Sequence, residues 1–247
     1  ADGLLSKAYA QARRALIRDA RAWIDAPPGD PLGLAAVKNG YVPPAVAHPR
    51  GSRALDTSYV AVVDAEGNAF SATPSDPPVD SPVVPGVGCV VSPRGSQSWL
   101  DPGHPSAVAP GKRPRLTPAP AMAFKDGRLF MPFGTPGGDV QQQAMLQVFL
   151  NIAVFGMPPQ LAVEAPRAAS RSFPDSFWPH TAFPGQLNLE ARIPSDAAEE
   201  LAALGHRVER WAELDWRAGA VCGIVVRPDG TLLAGADPRR GSHAIGW

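Results

Sequence analysis

A threonine directly after an aspartate opens the strand-like stretch "DTSYVAVVDAEGNAFSAT", residues 56 to 73. Thr57 offers a hydroxyl whose β-branch narrows χ1 and keeps the oxygen aimed, which suits an oxygen nucleophile. A strand-capping threonine beside a loop aspartate is the plainer account, so other residues must supply the charge stabilisation that a nucleophile needs. "FGTPGGDVQQQ" sets Gly137 and Gly138 immediately before a helical run. Adjacent N–H groups without side chains, at the positive end of a helix, can be aimed at an anion or a developing oxyanion; the alternative is an ordinary strand-to-helix turn. A P-loop is a poor match, because Asp139-Val140 stands where Lys and Ser/Thr should follow. "SPRGSQSW" carries Arg94, Ser96, Gln97 and Ser98, able to read a small polar substrate or to satisfy a loop. "APGKRPRLTPAPA" gathers Lys112, Arg113 and Arg115 before Thr117, three charges being too few for a nucleic-acid surface.

The elements that must hold these residues are legible in outline. Tyr59, Ala61 and Val63 alternate, and Asp64 to Gly67 form a polar turn ending in glycine, so a hairpin follows Thr57. Asp-Gly turns in "APAMAFKDGRLFMPFG" and "GAVCGIVVRPDGTLLAGAD" predict two more hairpins, and "VGCVV" reads as a further strand. Spacings of three and four predict one amphipathic helix over residues 4 to 24, followed by a proline- and glycine-rich connector over 26 to 56. A second helix runs from about Asp139 to the stop at Gly156, apolar around most of its circumference, which calls for cover by another layer or subunit. A third, "DAAEELAAL", has Asp196 and Glu199 at capping-box spacing and Gly205 as its end. Hairpins with separate helices predict an α+β layered fold.

Composition narrows the function classes. The 247 residues are 45% hydrophobic, enough for a sizeable core, and 23 basic against 23 acidic side chains leave no global field for nucleic acid or an acidic membrane surface. No apolar run approaches membrane-spanning length, and the first residues lack the pattern of a secretory signal. Cytoplasm and periplasm both remain compatible. Cys89 and Cys222 lie in apolar runs and read as buried free thiols, and the five histidines show no helical metal spacing, so no metal is indicated.

Taken in order, "TSYVAVVDAEGNAFSATPSD", "VGCVVSPRGSQS", "APGKRPRLTP", "FGTPGGDVQQQAMLQVFLNIAVFGM", "AVEAPR", "GHRVE" and "GADPRRGSHAIGW" resemble the small, catalytic subunit of the γ-glutamyltransferase family of N-terminal nucleophile hydrolases. The resemblance covers everything from Thr57 to the end. It implies an αββα sandwich of antiparallel sheets between helices. It also implies residues 1–56 as the C-terminal end of a large subunit, residues 57–247 as the small catalytic subunit, and self-cleavage of the Asp56–Thr57 bond. On the family's pattern Thr57 is the nucleophile, its freed α-amine the base, Ser75 its hydrogen-bonding partner, and Gly137 and Gly138 the oxyanion donors. No cofactor is required. Arg94, Gln97 and Thr117 fall at acyl-reading positions, Pro77 at another, and here the transpeptidase pattern breaks. An arginine replaces the partners of a γ-glutamyl ammonium group, which leaves that cation unpaired. The expectation is an amidohydrolase of the oxamate amidohydrolase-like branch, acting on a small anionic acyl amide. The alternatives are a γ-glutamyltransferase or glutathione hydrolase with an altered pocket, and an uncleaved, non-catalytic binding subunit. The implied partners are the small amide substrate and the large-subunit portion of the same precursor, with assembly of such heterodimers into a homo-oligomer left open.

Overall fold

The computed structural model describes residues 2–24, 29–31, 57–76 and 81–247. Asp56, Pro77 and nearly all of the proline-rich connector lie outside the described residues, and so does the expected boundary at 56/57 on its Asp56 side. Helices α1 (Asp2–Leu5) and α2 (Lys7–Arg14) replace the single helix expected over 4 to 24. Ser6 breaks the run because its Oγ accepts the Tyr9 N–H at 3.1 Å, an N-cap bond that starts α2 afresh. Beyond Arg14 the amides of Leu16 and Ile17 turn to carbonyls three residues back, and the helix closes. Neither helix has a buried residue, and short helices without a covered face do not extend.

The hairpin after Thr57 is β1 (Val60–Val63) and β2 (Ala69–Ala72), antiparallel with Val60 opposite Ala72. Its turn is held by the Asn68 N–H on Asp64 Oδ1 at 2.7 Å, and Gly67 takes the positive φ of 82°. β3 (Ala121–Lys125) and β4 (Arg128–Gly134) are joined by Asp126-Gly127, both at positive φ, as a two-residue hairpin requires. From β4 the chain enters a 3-10 turn over Gly138–Val140 and then α3 (Gln141–Ala153), followed by α4 (Pro159–Glu164). Next come β5 (Ala168–Ser170), β6 (Gln186–Glu190), α5 (Ser195–Ala203) and β7 (Arg207–Trp211). The chain closes with β8 (Cys222–Val226) and β9 (Leu232–Gly235).

Strands β3-β4-β8-β9 make one antiparallel sheet, and β5-β6-β7 make a second in which β6 and β7 run parallel across the α5 connection. That parallel pair is an addition to the antiparallel pattern read from the hairpins. Two apolar clusters fill the interior: Val140 of the 3-10 turn and Ala144 and Val148 of α3 with Ala162, Val163, Trp211 and Val221, and Met131, Phe133, Met145 and Val225 beneath the sheet. One face of α3 is thus covered, while Leu146, Leu150, Val154 and Phe155 stay exposed. The α+β class stands, with three local corrections. "VGCVV" forms only an isolated bridge, Val90 to Val83, with Gly86 and Gly88 at positive φ in the turn between them, and Cys89 is exposed rather than buried. Cys222 is half-buried in β8. Helix α5 starts from Pro194 without a side-chain cap; Asp196 sits inside its first turn, so no capping box forms.

Candidate active site

Thr57 leads into β1, and two residues later the Tyr59 ring packs against Gly134, so close that a β-carbon there would sit 2.3 Å from it. The start of β1 is thereby fixed beside the end of β4, three residues before the glycine pair. Burial raises the Tyr59 pKa to about 12, against a hydrogen bond with Ser71 that works to lower it. At the end of β2 the chain returns to Thr57: the Ser58 N–H donates to the Pro74 carbonyl at 3.0 Å, and Thr57 Oγ1 meets Ser75 Oγ at 2.5 Å. A hydroxyl pair at this separation is a short O–H···O bond.

Arg94 backs that pair. It sits in a 3-10 turn over Pro93–Gln97 capped by Ser92, and only 9% of it is exposed. Its Nε and Nη2 donate to the Ser75 carbonyl at 2.8 and 2.5 Å, Nη2 also donates to Ser75 Oγ, and Nη1 reaches Thr117 Oγ1 at 3.0 Å and Gln97 Oε1 at 3.3 Å. Gln97 in turn donates to Thr117 Oγ1 at 3.3 Å, and both residues are buried. The structure therefore brings Thr57, Ser75, Arg94, Gln97 and Thr117 into one hydrogen-bonded cluster. Burial pushes the guanidinium pKa below its ordinary value, with the negative charge of Asp76 opposing. Arginine stays charged all the same. Among the described residues no carboxylate lies within ion-pairing distance of it.

The Gly137–Gly138 turn shows why glycine occurs twice. Gly137 has φ 135° and Gly138 φ 57°, and a β-carbon on Gly137 would meet the Gly219 Cα at 3.3 Å. Among the described residues neither N–H has a hydrogen-bond acceptor, although the Gly137 carbonyl accepts the Val140 N–H at 3.1 Å. Two adjacent amides left without partners at the start of α3 suit an incoming oxyanion. Pro136, just before them, and Thr57 line the same cleft of about 310 Å³, with Tyr59, Cys222, Arg240 and His243 among its other walls. Of the expected site residues only Thr57 lines it; Gly137 and Gly138 follow Pro136 just outside, and Ser75, Arg94, Gln97 and Thr117 lie behind Thr57, joined to it through the Thr57–Ser75 bond.

Two contributors escaped the sequence reading. The Phe177 ring lies over the Arg94 guanidinium at 5.4 Å, and Asp139 accepts the Ser176 N–H at 2.8 Å as well as the Ser176 hydroxyl. Together they fasten the loop "FPDSFWPH" to both the arginine and the glycine turn. The signal available was an acid immediately after the glycine pair and an aromatic cluster in a proline-rich loop. No group of three or more metal-ligating side chains occurs among the described residues, and no described helix is long and apolar enough to cross a membrane.

The family model for gamma-glutamyltranspeptidase matches residues 1–247. The chain belongs to that family. Among curated members, the acylase ACY 1 proenzyme of Pseudomonas sp. (strain V22) is 34% identical over 237 residues, which is 94% of this chain and 36% of the relative. The oxamate amidohydrolase proenzyme of Klebsiella pneumoniae is 35% identical over 196 residues, 78% of this chain and 36% of its own. The chain thus spans about a third of the length of these gamma-glutamyltranspeptidase relatives. Among solved structures, the cephalosporin acylase from Bacillus halodurans superposes on all of this chain and 39% of its own with TM-score 0.74 and 28% identity. The gamma-glutamyltranspeptidase from Pseudomonas nitroreducens complexed with L-DON gives TM-score 0.61 and 26% identity over 76% of this chain and 97% of that one. The fold is that of the gamma-glutamyltranspeptidase family of N-terminal nucleophile hydrolases, and its members are processed from proenzymes.

Proposed function

We propose that this chain carries the catalytic unit of an amidohydrolase that cleaves itself before Thr57 and then hydrolyses the amide of a small anionic acyl group. The observation that carries the reading is the 2.5 Å contact between Thr57 Oγ1 and Ser75 Oγ at the mouth of β1, in a cleft that Thr57 shares with Pro136, the residue before the glycine pair. In self-cleavage Thr57 Oγ1 attacks the Asp56 carbonyl carbon, the Asp56–Thr57 C–N bond breaks, and an ester is left with the Thr57 α-amine released. Water then hydrolyses the ester to the Asp56 carboxylate and restores the hydroxyl. An unperturbed α-amine titrates at about 7.7–8.0, close to working pH, which suits the new amine to take the Thr57 proton and pass it to a leaving amine. The acyl-enzyme is hydrolysed by water activated the same way. Each oxyanion faces the Gly137 and Gly138 N–H groups, where one donor is typically worth about 2.7–4 kcal/mol.

The division at Thr57 is supported by the solved Pseudomonas nitroreducens chain, nearly all of which is covered by about three quarters of this one. On this reading the rest of the relatives' length corresponds to the large-subunit partner. The substrate class is read from Arg94, a buried cation whose hydrogen bonds all go to uncharged groups and which forms no ion pair among the described residues, Asp76 acting on it only through space. An acyl carboxylate could take the Nη1 edge from Thr117 and Gln97, whose bonds are the longer ones, while Nε and Nη2 stay on Ser75. A γ-glutamyl ammonium group would instead meet a like charge. Thr57→Ala in the full-length protein tests the assignment by intact mass and turnover: neither a break at Asp56–Thr57 nor hydrolysis is expected. Cleavage of that bond in the variant would overturn it.

A further inference from the structure

All of the N–H donors of the Arg94 guanidinium are spent, and three of the five hydrogen bonds they make go to one residue, Ser75. Two of these pin the Ser75 carbonyl and the third lands on its hydroxyl oxygen, the atom that meets Thr57. From this geometry we infer that Arg94 is a positioning residue for the nucleophile: it holds the Ser75 hydroxyl against Thr57 Oγ1 and polarises the hydrogen bond between the two. The inference rests on Thr57 being the nucleophile, and it assigns Arg94 a task that precedes any substrate.

The Arg94 N–H occupies one acceptor site of the Ser75 oxygen, which polarises the hydroxyl and makes it a stronger donor, while at rest either hydroxyl can donate across the 2.5 Å contact. As Thr57 passes its own proton to the base, the Ser75 O–H···O⁻ bond becomes charge-assisted and strengthens, with a guanidinium one hydrogen bond behind it. Ser75 keeps its proton throughout. Gln97 and Thr117 hold the opposite edge of the guanidinium and Phe177 covers its face, so the plane has little freedom to leave Ser75.

A residue that only reads a substrate carboxylate has no part in self-cleavage, where no such substrate is present. Arg94→Gln in the full-length protein is therefore expected to slow self-cleavage, and to slow hydrolysis of a neutral acyl anilide as well as of glutaryl anilide. The slowing should be on the order of ten- to a hundredfold, the worth of one charge-assisted hydrogen bond. Arg94→Lys, which keeps a charged donor, should recover part of the rate, and methylguanidinium should rescue Arg94→Ala. Folding is checked by the melting temperature. The double-variant cycle with Ser75→Ala is the decisive measurement: once the Ser75 hydroxyl is gone, Arg94→Gln should cost little more. Losses that multiply, or wild-type self-cleavage in Arg94→Gln with the loss confined to glutaryl anilide, would overturn the inference and leave Arg94 a substrate reader. Both outcomes differ from a Thr57→Ala variant that still cleaves, which would sink the underlying assignment instead.

Discussion

The hydroxyl of Thr57 owes its setting to side chains far apart in sequence, and the most informative is the positive charge of Arg94. Every guanidinium hydrogen bond of this buried arginine goes to an uncharged group, and Asp76 acts on it only through space while accepting from the Ser92 hydroxyl, so Arg94 has no ion pair among the described residues. A substrate carboxylate would compensate it, and a γ-glutamyl α-ammonium would add to it. The kcat/KM for glutaryl anilide is therefore expected to exceed that for γ-glutamyl anilide by about tenfold or more, taking one charge-assisted hydrogen bond as the difference. Gln97→Glu places a carboxylate beside Arg94 Nη1 and should narrow or reverse the ratio. The two anilides assayed side by side on both proteins check this; preference for the γ-glutamyl compound in the unsubstituted enzyme would return the transferase reading.

At the scale of elements, what was legible is what local chemistry dictates. Asp64 to Gly67, Asp126-Gly127 and Asp229-Gly230 fixed three hairpins because positive φ at glycine is a local requirement. Helix α2 was overread because its periodicity says which face could be buried, and no described neighbour buries it. The sheet β5-β6-β7 went unread because its strands are short and carry polar residues such as Asn188 and Glu190 inward, and because β5 and β6 pair antiparallel across a long loop while β6 and β7 pair in parallel across a helix, leaving no tight-turn signature. In the site, Thr57 and the glycine pair carry local signals, whereas the bond from Arg94 to Ser75 and the cover by Phe177 exist only in three dimensions. The glycine turn also separates structural from catalytic need. Gly138→Ala keeps a left-handed conformation at about 1 kcal/mol and meets no described atom within 4 Å, so a small drop in melting temperature is expected with a larger loss of turnover, as the new methyl enters the space above the two amides. Gly137→Ala has no such conformation to adopt at φ 135° and presses on Gly219, so stability and turnover should fall together. Calorimetry beside steady-state rates distinguishes the two; near-normal turnover in Gly138→Ala would remove the oxyanion role.

Across the whole molecule, the motif residues in "AVEAPR" and "GADPRR" hold the frame behind that turn. Arg167 donates to Asp237 Oδ2 at 2.5 Å and to the carbonyls of Val163 and Ala218, while Arg239 grips Glu190 through Nε and Nη2 at 2.7 and 2.5 Å and Asp237 Oδ1 at 3.1 Å. All four side chains are buried. The network joins the end of α4, strand β6 and the segment after β9 to the loop at Ala218–Val221, whose amides answer to Asp237 at Val221 and to Thr135 Oγ1 at Ala220. Gly219 in that loop is the surface on which Gly137 rests. Surface ion pairs contribute little, but removing one partner from a buried set leaves its counterpart uncompensated, at about 3–5 kcal/mol. Asp237→Asn leaves Arg167 and Arg239 short of a carboxylate, so the melting temperature should fall by roughly 6–20 °C for a chain of this size. Turnover well below the new transition should fall as well, because the loop that backs Gly137 loses its anchor at Val221. A melting curve together with kcat at low temperature measures both. A variant that melts early yet turns over normally would show that the network stabilises the fold without aiming the glycine amides.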